Sequence, residues 1–456
     1  MTTASRAVSL AWAGGTLGSS TMLGAMSLLV LFFLTEQLGI APALAGTLIF
    51  VARLWDIGAA LVIGQWSDRS GGRWGRRAPF LFAGAPLASL SYLMLFAAPQ
   101  ALAGPALHGW VLAALIGFAT GYSLFVVPYL AVPAEITSMP AQRTTMMTWR
   151  VVFMTLAGLN VAVFGALFIK SFGGGRAGYA GMGAMHALVI LAAMWTCAIV
   201  VARSPTVARA EAAQGGSLAQ IARVLRYRPL LVFLGVKFFQ LTAVASTSAS
   251  LLYLARYVLG RDESFLIRFG ALQLAGTLLS LPAWSWLGRR HGKRATYMWA
   301  GYAYAAISLS WLTAAFGEPA WATDLRLLMI GVGSAGLLVM GFSLLPDIMA
   351  QYARAGGEAL EGTIAAVYNI VEKGTAALGP LFGGLLLSAS GFISAAGGEL
   401  PRSQPAAAIT AILLLAAVIP AACNLAGSLL LRRFALGDGG IVAHGGARAA
   451  SLATTR

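Results

Sequence analysis

About twelve stretches of roughly 20 mostly apolar residues follow one another along this chain, each the length a helix needs to cross the hydrocarbon core of a bilayer. They lie near 10–34, 43–66, 78–98, 108–132, 149–170, 182–203, 230–256, 264–288, 295–316, 323–348, 363–388 and 406–432. With 59% hydrophobic residues, 10% charged residues and a mean hydropathy of +0.79, the chain cannot be a water-soluble globule. Strands of a transmembrane barrel would be half as long and alternate in polarity, a pattern these runs lack. The reading is an all-α membrane protein, and its many glycines suit close helix packing in lipid.

The formal charge of +16 does not point to nucleic acid, because the basic residues fall in short loops between apolar runs and not on one soluble module. Placing both termini in the cytoplasm puts about twenty Lys and Arg residues on the inner side and about six outside, as the positive-inside rule requires. The polar start Met1 to Ser9 runs straight into a full-length span, so no cleavable signal is expected. Cys197 and Cys423 both fall in spans and form neither a disulfide framework nor a metal site. The four histidines, His108, His186, His291 and His444, have no ligand spacing and read as structural or solvent-facing.

Organisation follows from the polar segment between Ala202 and Arg228. Residues 1–204 form a first bundle of six spans, 205–229 a cytoplasmic linker, 230–434 a second six-span bundle and 435–456 a disordered cytoplasmic tail rich in Gly and Ala. A basic turn follows the second span, with Arg69, Arg73, Arg76 and Arg77, and another follows the eighth, with Arg289, Arg290, Lys293 and Arg294. The same device at corresponding places implies parallel repeats, the plan of the major facilitator fold, with substrate held near mid-membrane between the halves.

Asp56 lies inside an apolar run, where an ionised group costs roughly 2.5 to 3.5 kcal/mol by insertion measurements, so its default reading is functional. Counting about 1.5 Å per residue puts Asp56 and Lys373 in one layer some 15 Å from the cytoplasmic side, with Ser123 at similar depth. Arg53 lies one turn outward from Asp56, and Asn369 shares a helix face with Lys373, while Glu372 is turned about 100° away. A carboxylate and two cations in one low-dielectric layer can exchange partners as a cation or proton arrives; the plainer reading is a static buried salt bridge. Asp68, at the C-terminal end of its helix, is disfavoured by the helix dipole and needs Arg69, Arg73 or a neighbouring helix N-terminus as partner. A breakable pair there can gate alternating access, although the arginines also serve simply to set topology.

Gly64-Gln65-Trp66-Ser67-Asp68-Arg69, followed by Arg73-Trp74-Gly75-Arg76-Arg77-Ala78-Pro79-Phe80, resembles the loop signature of the glycoside-pentoside-hexuronide:cation symporters, the melibiose permease group of the major facilitator superfamily. Three further segments resemble the same group: Val127-Pro128-Tyr129-Leu130-Ala131-Val132-Pro133-Ala134-Glu135 with Arg143 and Arg150 downstream, Pro346-Asp347 with Glu361-Gly362, and Glu372-Lys373-Gly374 ahead of Gly379-Pro380. Plant sucrose carriers share a similar arginine loop, so the loop alone does not set the subfamily.

The resemblance implies that Asp56 is a coupling-cation ligand, Lys373 a lysine important for transport and Arg150 a substrate-site arginine. It also places Glu135, Arg143, Asp347 and Glu361 beside Asp68 and the arginines in a gating set. The chain departs from the family where sodium users carry a second acid, here Ala60 preceded by Ala59. One carboxylate plus the Ser123 hydroxyl is a thin cage for a hard cation. The expected coupling ion is therefore a proton in preference to sodium, carried by Asp56 with Lys373 or Arg53 as counter-ion and Glu372 as a second proton site. Ser20 and Val126 stand where galactoside carriers have acids, so the substrate leans towards an anionic or amphiphilic molecule, a uronide or a lysolipid, over a neutral galactoside. Tyr122, Tyr129, Asn369, Lys237 and Gln273 are candidate substrate contacts with Arg150; Lys237 and Arg268 either line the second half of the cavity or, for Arg268, snorkel to the headgroups.

No nucleophile, metal cluster or acid pair at a membrane face supports a lipid enzyme, and a lipid flippase of the same fold differs only in substrate. The expectation is a monomeric secondary carrier of the bacterial inner membrane, with a small solute, a coupling cation and membrane lipid as partners and with no cofactor.

Overall fold

A backbone in hydrocarbon must satisfy its N–H and C=O groups within its own segment, so the apolar runs fold as helices. The computed structural model describes residues 6–71, 76–137, 139–204, 218–262, 264–354, 361–395 and 403–432. Span one is the pair Arg6–Leu28 and Val30–Glu36, bent by 48°. Spans two, three and four are Pro42–Arg69, Ala78–Phe96 and Gly104–Ile136. Span five runs from Pro140–Leu159 through a π-helical turn, Asn160–Phe164, to Gly165–Ser171, and span six is Gly175–Arg203. After the short helix Leu218–Leu225 come span seven, Arg228–Tyr253 with the π-helical turn Leu254–Val258, and span eight, Phe265–His291. Span nine is Lys293–Leu309 with a 3-10 turn, Ser310–Thr313; spans ten and eleven are Ala320–Arg354 and Glu361–Ala389. Span twelve joins Ala406–Leu413, Leu414–Val418 and Ile419–Arg432.

Ten of these helices are long and apolar enough to cross a membrane, and the bent pair makes eleven. The remaining place belongs to span nine, whose 17-residue helix continues into a four-residue turn. The helices thus match the apolar runs in order, but they overrun them at polar ends: span two continues past Gln65 to Arg69 and span ten reaches Arg354. Proline sets several starts. Pro42, Pro140 and Pro229 occupy first-turn positions, where a missing N–H is no loss. Gly292 alone separates spans eight and nine; its φ of 84° is a conformation that a residue with a Cβ rarely adopts.

The packing repeats itself. Span three packs on four and six, span one on five and six, and span two on four. Adding six to each number reproduces the pairings of the second set: nine on ten and twelve, seven on eleven and twelve, eight on ten. Among the described residues two seams join the sets and exchange under the same shift, span two on eleven and span five on eight, and a third, span one on seven, maps onto itself. That is the pattern of parallel repeats about an axis along the membrane normal.

Small residues bring the first seam together. A Cβ on Gly46 of span two would lie 2.6 Å from the Pro380 carbonyl oxygen of span eleven, and Gly384 meets the Pro42 carbonyl in the same way. Without a hydrophobic drive between helices in lipid, such backbone approach supplies the packing.

Candidate functional site

Asp56 and Lys373 sit midway along the two helices of that seam, and they meet. Lys373 Nζ is 2.9 Å from Asp56 Oδ2, while Ser123 of span four donates to Oδ1 at 2.5 Å. The Asp56 side chain is 2% exposed and that of Lys373 29%. The Asp56–Lys373 contact is close enough for an ion pair yet is not aligned as a hydrogen bond. One carboxylate is therefore held by a hydroxyl of the first set of spans and an ammonium of the second. Neutralising Asp56 would cancel the attraction across the seam.

Arg53 lies one turn from Asp56 on span two, is buried, and has an Nε without a hydrogen-bond partner. Tyr122 of span four stands within electrostatic reach of Asp56, Arg53, Glu372 and Arg150. Glu372 is an exposed position on span eleven, and it feels the charges of Lys237, Arg150 and Lys373. Because these cations come from spans five, seven and eleven, Glu372 faces the space between the two sets of spans. Asn369 is also exposed, on the same face as Lys373.

Lys237 of span seven is buried at 5% exposure, and its Nζ donates to Gln240 Oε1 at 2.5 Å. Tyr297 of span nine donates to the same oxygen at 3.0 Å. Lys237 Nζ also stands 6.0 Å from the ring centre of Tyr368, one turn before Glu372 on span eleven. Neither Gln240 nor Tyr297 was expected; the only signal was the i, i+3 spacing of Gln240 from Lys237, which any helical face supplies.

Several expected residues are placed elsewhere. Tyr129 is not a free wall of the cavity: it is 1% exposed, stacks on Trp12 with ring centres 4.7 Å apart, and shares a 2.7 Å hydrogen bond with Thr16. Burial between spans one and four makes it a support for Arg150, which reaches its hydroxyl. The backbone carbonyl of Gln273 on span eight lies against Gly331 of span ten, and among the described residues no hydrogen bond ties its side chain to the central group. Arg268 does not line the centre; it pairs with Asp324 of span ten.

At the end carrying the basic turns, Asp68 pairs at 2.6 Å with Arg77, which stands at the N-terminus of span three. Arg69 is exposed, and Arg73 lies outside the described residues. Arg77 is the better partner because its buried guanidinium also holds Glu135 at 3.0 Å and the Ser67 hydroxyl at 2.6 Å, while Arg76 holds Glu135 at 2.6 Å. The network ties spans two, three and four to one another. Arg143 donates to the Thr137 carbonyl at 3.0 Å and so braces the turn before span five. In the second set the counterpart is Lys293 with Asp347 at 2.6 Å, across spans nine and ten. Glu361 is the first residue of span eleven.

The opposite end carries a seal that the sequence did not announce. Tyr257 at the end of span seven donates to Glu36 at the end of span one, and Glu36 is fully buried. Thr35 and Tyr253 share a 2.7 Å hydrogen bond, and Ser394 donates to the Ile40 carbonyl at 3.2 Å. All three contacts join the first set of spans to the second. Among the buried histidines, His186 meets the Tyr92 hydroxyl at 2.9 Å inside the first set, a packing role.

With this geometry in place, residues 12–438 match the family model described as MFS/sugar transport protein. The inner membrane symporter YicJ of Escherichia coli K12 is 25% identical over 418 residues, which cover 89% of this chain and 86% of that protein. The isoprimeverose transporter of Lactiplantibacillus pentosus is 27% identical over 85% of this chain and 80% of its own. Among solved structures, a D-xylose-proton symporter superposes with a TM-score of 0.65 at 14% identity, covering 94% of this chain and 97% of that one. At that identity the likeness bears on the fold alone.

Proposed function

The chain belongs to the MFS/sugar transport protein family, an integral-membrane symporter family and not an enzyme family, and from that premise we propose a proton-coupled carrier of a small hydroxylated organic solute. It would sit in the inner membrane with both termini in the cytoplasm, where the basic turns obey the positive-inside rule. Residues 6–204 and 230–432 would be the two halves, rocking about a central site.

One observation carries the reading: Asp56 is shared between Ser123 of its own half and Lys373 of the other. A proton arriving on Asp56 removes the charge that holds Lys373, so coupling ion and halves act through one bond. A proton suits this position better than sodium, because the Lys373 ammonium already stands where a bound metal cation would sit and only a carboxylate and a hydroxyl face it. Arg53 supplies a second counter-charge and Arg150 a substrate contact on the first half.

The seal through Glu36, Tyr257, Thr35 and Tyr253 closes the periplasmic end, while the ion pairs described at the basic end stay within one half each. This is the arrangement open to the cytoplasm. When the carrier turns over, the Asp68–Arg77–Glu135 group and the Lys293–Asp347 pair come together and close that end, which is the gating role of this set.

Replacing Asp56 by Asn in proteoliposomes is the test. The expected outcome is loss of uptake driven by a pH gradient, with solute exchange across the membrane retained. Undiminished gradient-driven uptake would refute the coupling role, and uptake driven by sodium at constant pH would reassign the ion.

A further inference from the structure

The central layer holds more positive than negative charge. Among the described residues Arg53, Arg150, Lys237 and Lys373 face two acids, Asp56 and Glu372, and Asp56 is already taken by Lys373. An unbalanced cation in a low-dielectric interior is unfavourable, and such surpluses mark places where an anion completes the site. Lys237 is where the surplus is most confined. Its ammonium has three N–H donors, and among the described residues one acceptor, Gln240 Oε1, is bonded to it. The Tyr297 hydroxyl bonds that same oxygen, so Gln240 is held in place by two donors and orients Lys237.

Room for the ammonium itself is kept by the absence of a side chain. A Cβ on Gly341 of span ten would come within 3.2 Å of Lys237 Nζ, tighter than an ordinary contact. The remaining wall is the face of span eleven, with Tyr368 at 6.0 Å and Glu372 one turn on. Glu372 therefore stands as the resident anion, within reach of both Lys237 and Arg150, which belong to opposite halves.

We infer that Lys237, oriented by Gln240 and Tyr297 and given room by Gly341, is an anion subsite on the second half, and that the transported solute is a small hydroxylated organic acid bearing a carboxylate or sulfonate. This rests on the carrier reading and sharpens it. The acidic group binds Lys237 on one side and Arg150 on the other, and displaces Glu372 from between them. Charge-assisted hydrogen bonds to both halves let such a ligand draw the halves together, which a neutral polyol does less strongly. Glu372 then acts as a positioning residue that holds the cations in the empty carrier and yields to the ligand.

Matched pairs of probes test this on the full-length protein in detergent: glucuronate against glucose, and 2,3-dihydroxypropane-1-sulfonate against glycerol, read by thermal shift and by equilibrium binding. A ligand that binds the folded form raises its melting temperature by mass action. The acids are expected to bind and their neutral partners to bind far more weakly. Lys237→Gln should weaken binding of the acids by about tenfold to a hundredfold, the range for a hydrogen bond to a charged group. It should leave the neutral partners unchanged. Gly341→Ala, which retains every charge, should weaken the acids by a smaller factor, and Glu372→Gln should tighten them.

Equal binding of acid and neutral partner, no binding of either acid at millimolar concentration, or full affinity in Lys237→Gln would each overturn the inference. Melting of the unliganded variants within a few degrees of wild type separates lost binding from lost folding, and the wild-type comparison needs no variant at all. These failures differ from failure of the carrier reading, which shows in the Asp56→Asn uptake experiment whatever the charge of the solute.

Discussion

The two ends of the molecule are held by different kinds of contact. At the basic end the described ion pairs are intramural: Asp68, Arg76, Arg77 and Glu135 join spans two to four, and Lys293 with Asp347 joins spans nine and ten. At the far end the polar contacts cross between halves, through Glu36 with Tyr257 and Thr35 with Tyr253, and Gly46 and Gly384 press spans two and eleven together. The difference separates two jobs. On the proposed mechanism, contacts within a half would make it a rigid body, and contacts between halves would set which side is open. Alternating access needs both, because rigid halves convert a local change at Asp56 into motion at both ends.

That comparison can be broken from either side. The largest effect is expected at the basic end: Arg77→Ala strips a buried guanidinium, 5% exposed, from Glu135, 8% exposed. Breaking a buried pair costs about 3–5 kcal/mol, and the lower figure applies because Arg76 still reaches Glu135. Thermal unfolding in detergent should show that loss while the far end stays sealed. A thiol reagent that cannot cross membranes reports the seal at Gly383→Cys, a position whose Cβ would pack at 3.6 Å from Leu31 of the other half and 3.8 Å from Ala249 of its own. Rapid labelling from outside in the Arg77 variant would erase the division of labour drawn above.

Next comes Gly46→Leu. Its side chain must displace the Pro380 backbone, an overpacking of about 1–3 kcal/mol that falls on the seam and not on either half. Labelling at position 383 should accelerate and gradient-driven uptake should fall, with the melting temperature moving less than in Arg77→Ala. Tyr257→Phe should act in the same direction for a different reason: it leaves the buried Glu36 short of a donor, about 1–3 kcal/mol against the sealed state. The population of the far-side-open form should then rise by one to two orders of magnitude, about what that energy allows. An unchanged labelling rate in both variants would show that the seal lies elsewhere.

The smallest effect belongs to Lys293→Ala. Lys293 and Asp347 are 39% and 40% exposed, so solvent screens the pair to about 0–1 kcal/mol. Unfolding should move within error, and any clear fall in transport would then reflect closure of the basic end, where the pair would meet the Asp68 group.

Much of this was legible before any coordinates. Asp56 and Lys373 could be placed at one depth by counting along helices, since the rise per residue is invariant, and the structure brings them within 2.9 Å. Ser123 followed from the same arithmetic. Counting gives depth but not azimuth. Tyr129, on the same span as Ser123, points into the packing of spans one and four, against Trp12. Arg268 turned towards span ten in the same way, to Asp324. Of the partners open to Asp68, the one at a neighbouring helix N-terminus is realised: Arg77, nine positions on and directly ahead of span three, is held in place by Glu135 from a third span.

What the sequence determined by itself was the class, the order of the apolar helices, the repeat and the common level of Asp56, Ser123 and Lys373. Those properties depend on transfer free energy and helix geometry, which are local and additive. What only the tertiary structure decided was who meets whom: the seal between Glu36 and Tyr257, the Gln240–Tyr297 cradle of Lys237, and the placing of an exposed Glu372 within electrostatic reach of cations from both halves. Each is a contact between residues far apart in the chain, set by how helices rotate about their axes when small residues let their backbones touch. Rotation is a property of the packed assembly, and no single span contains it.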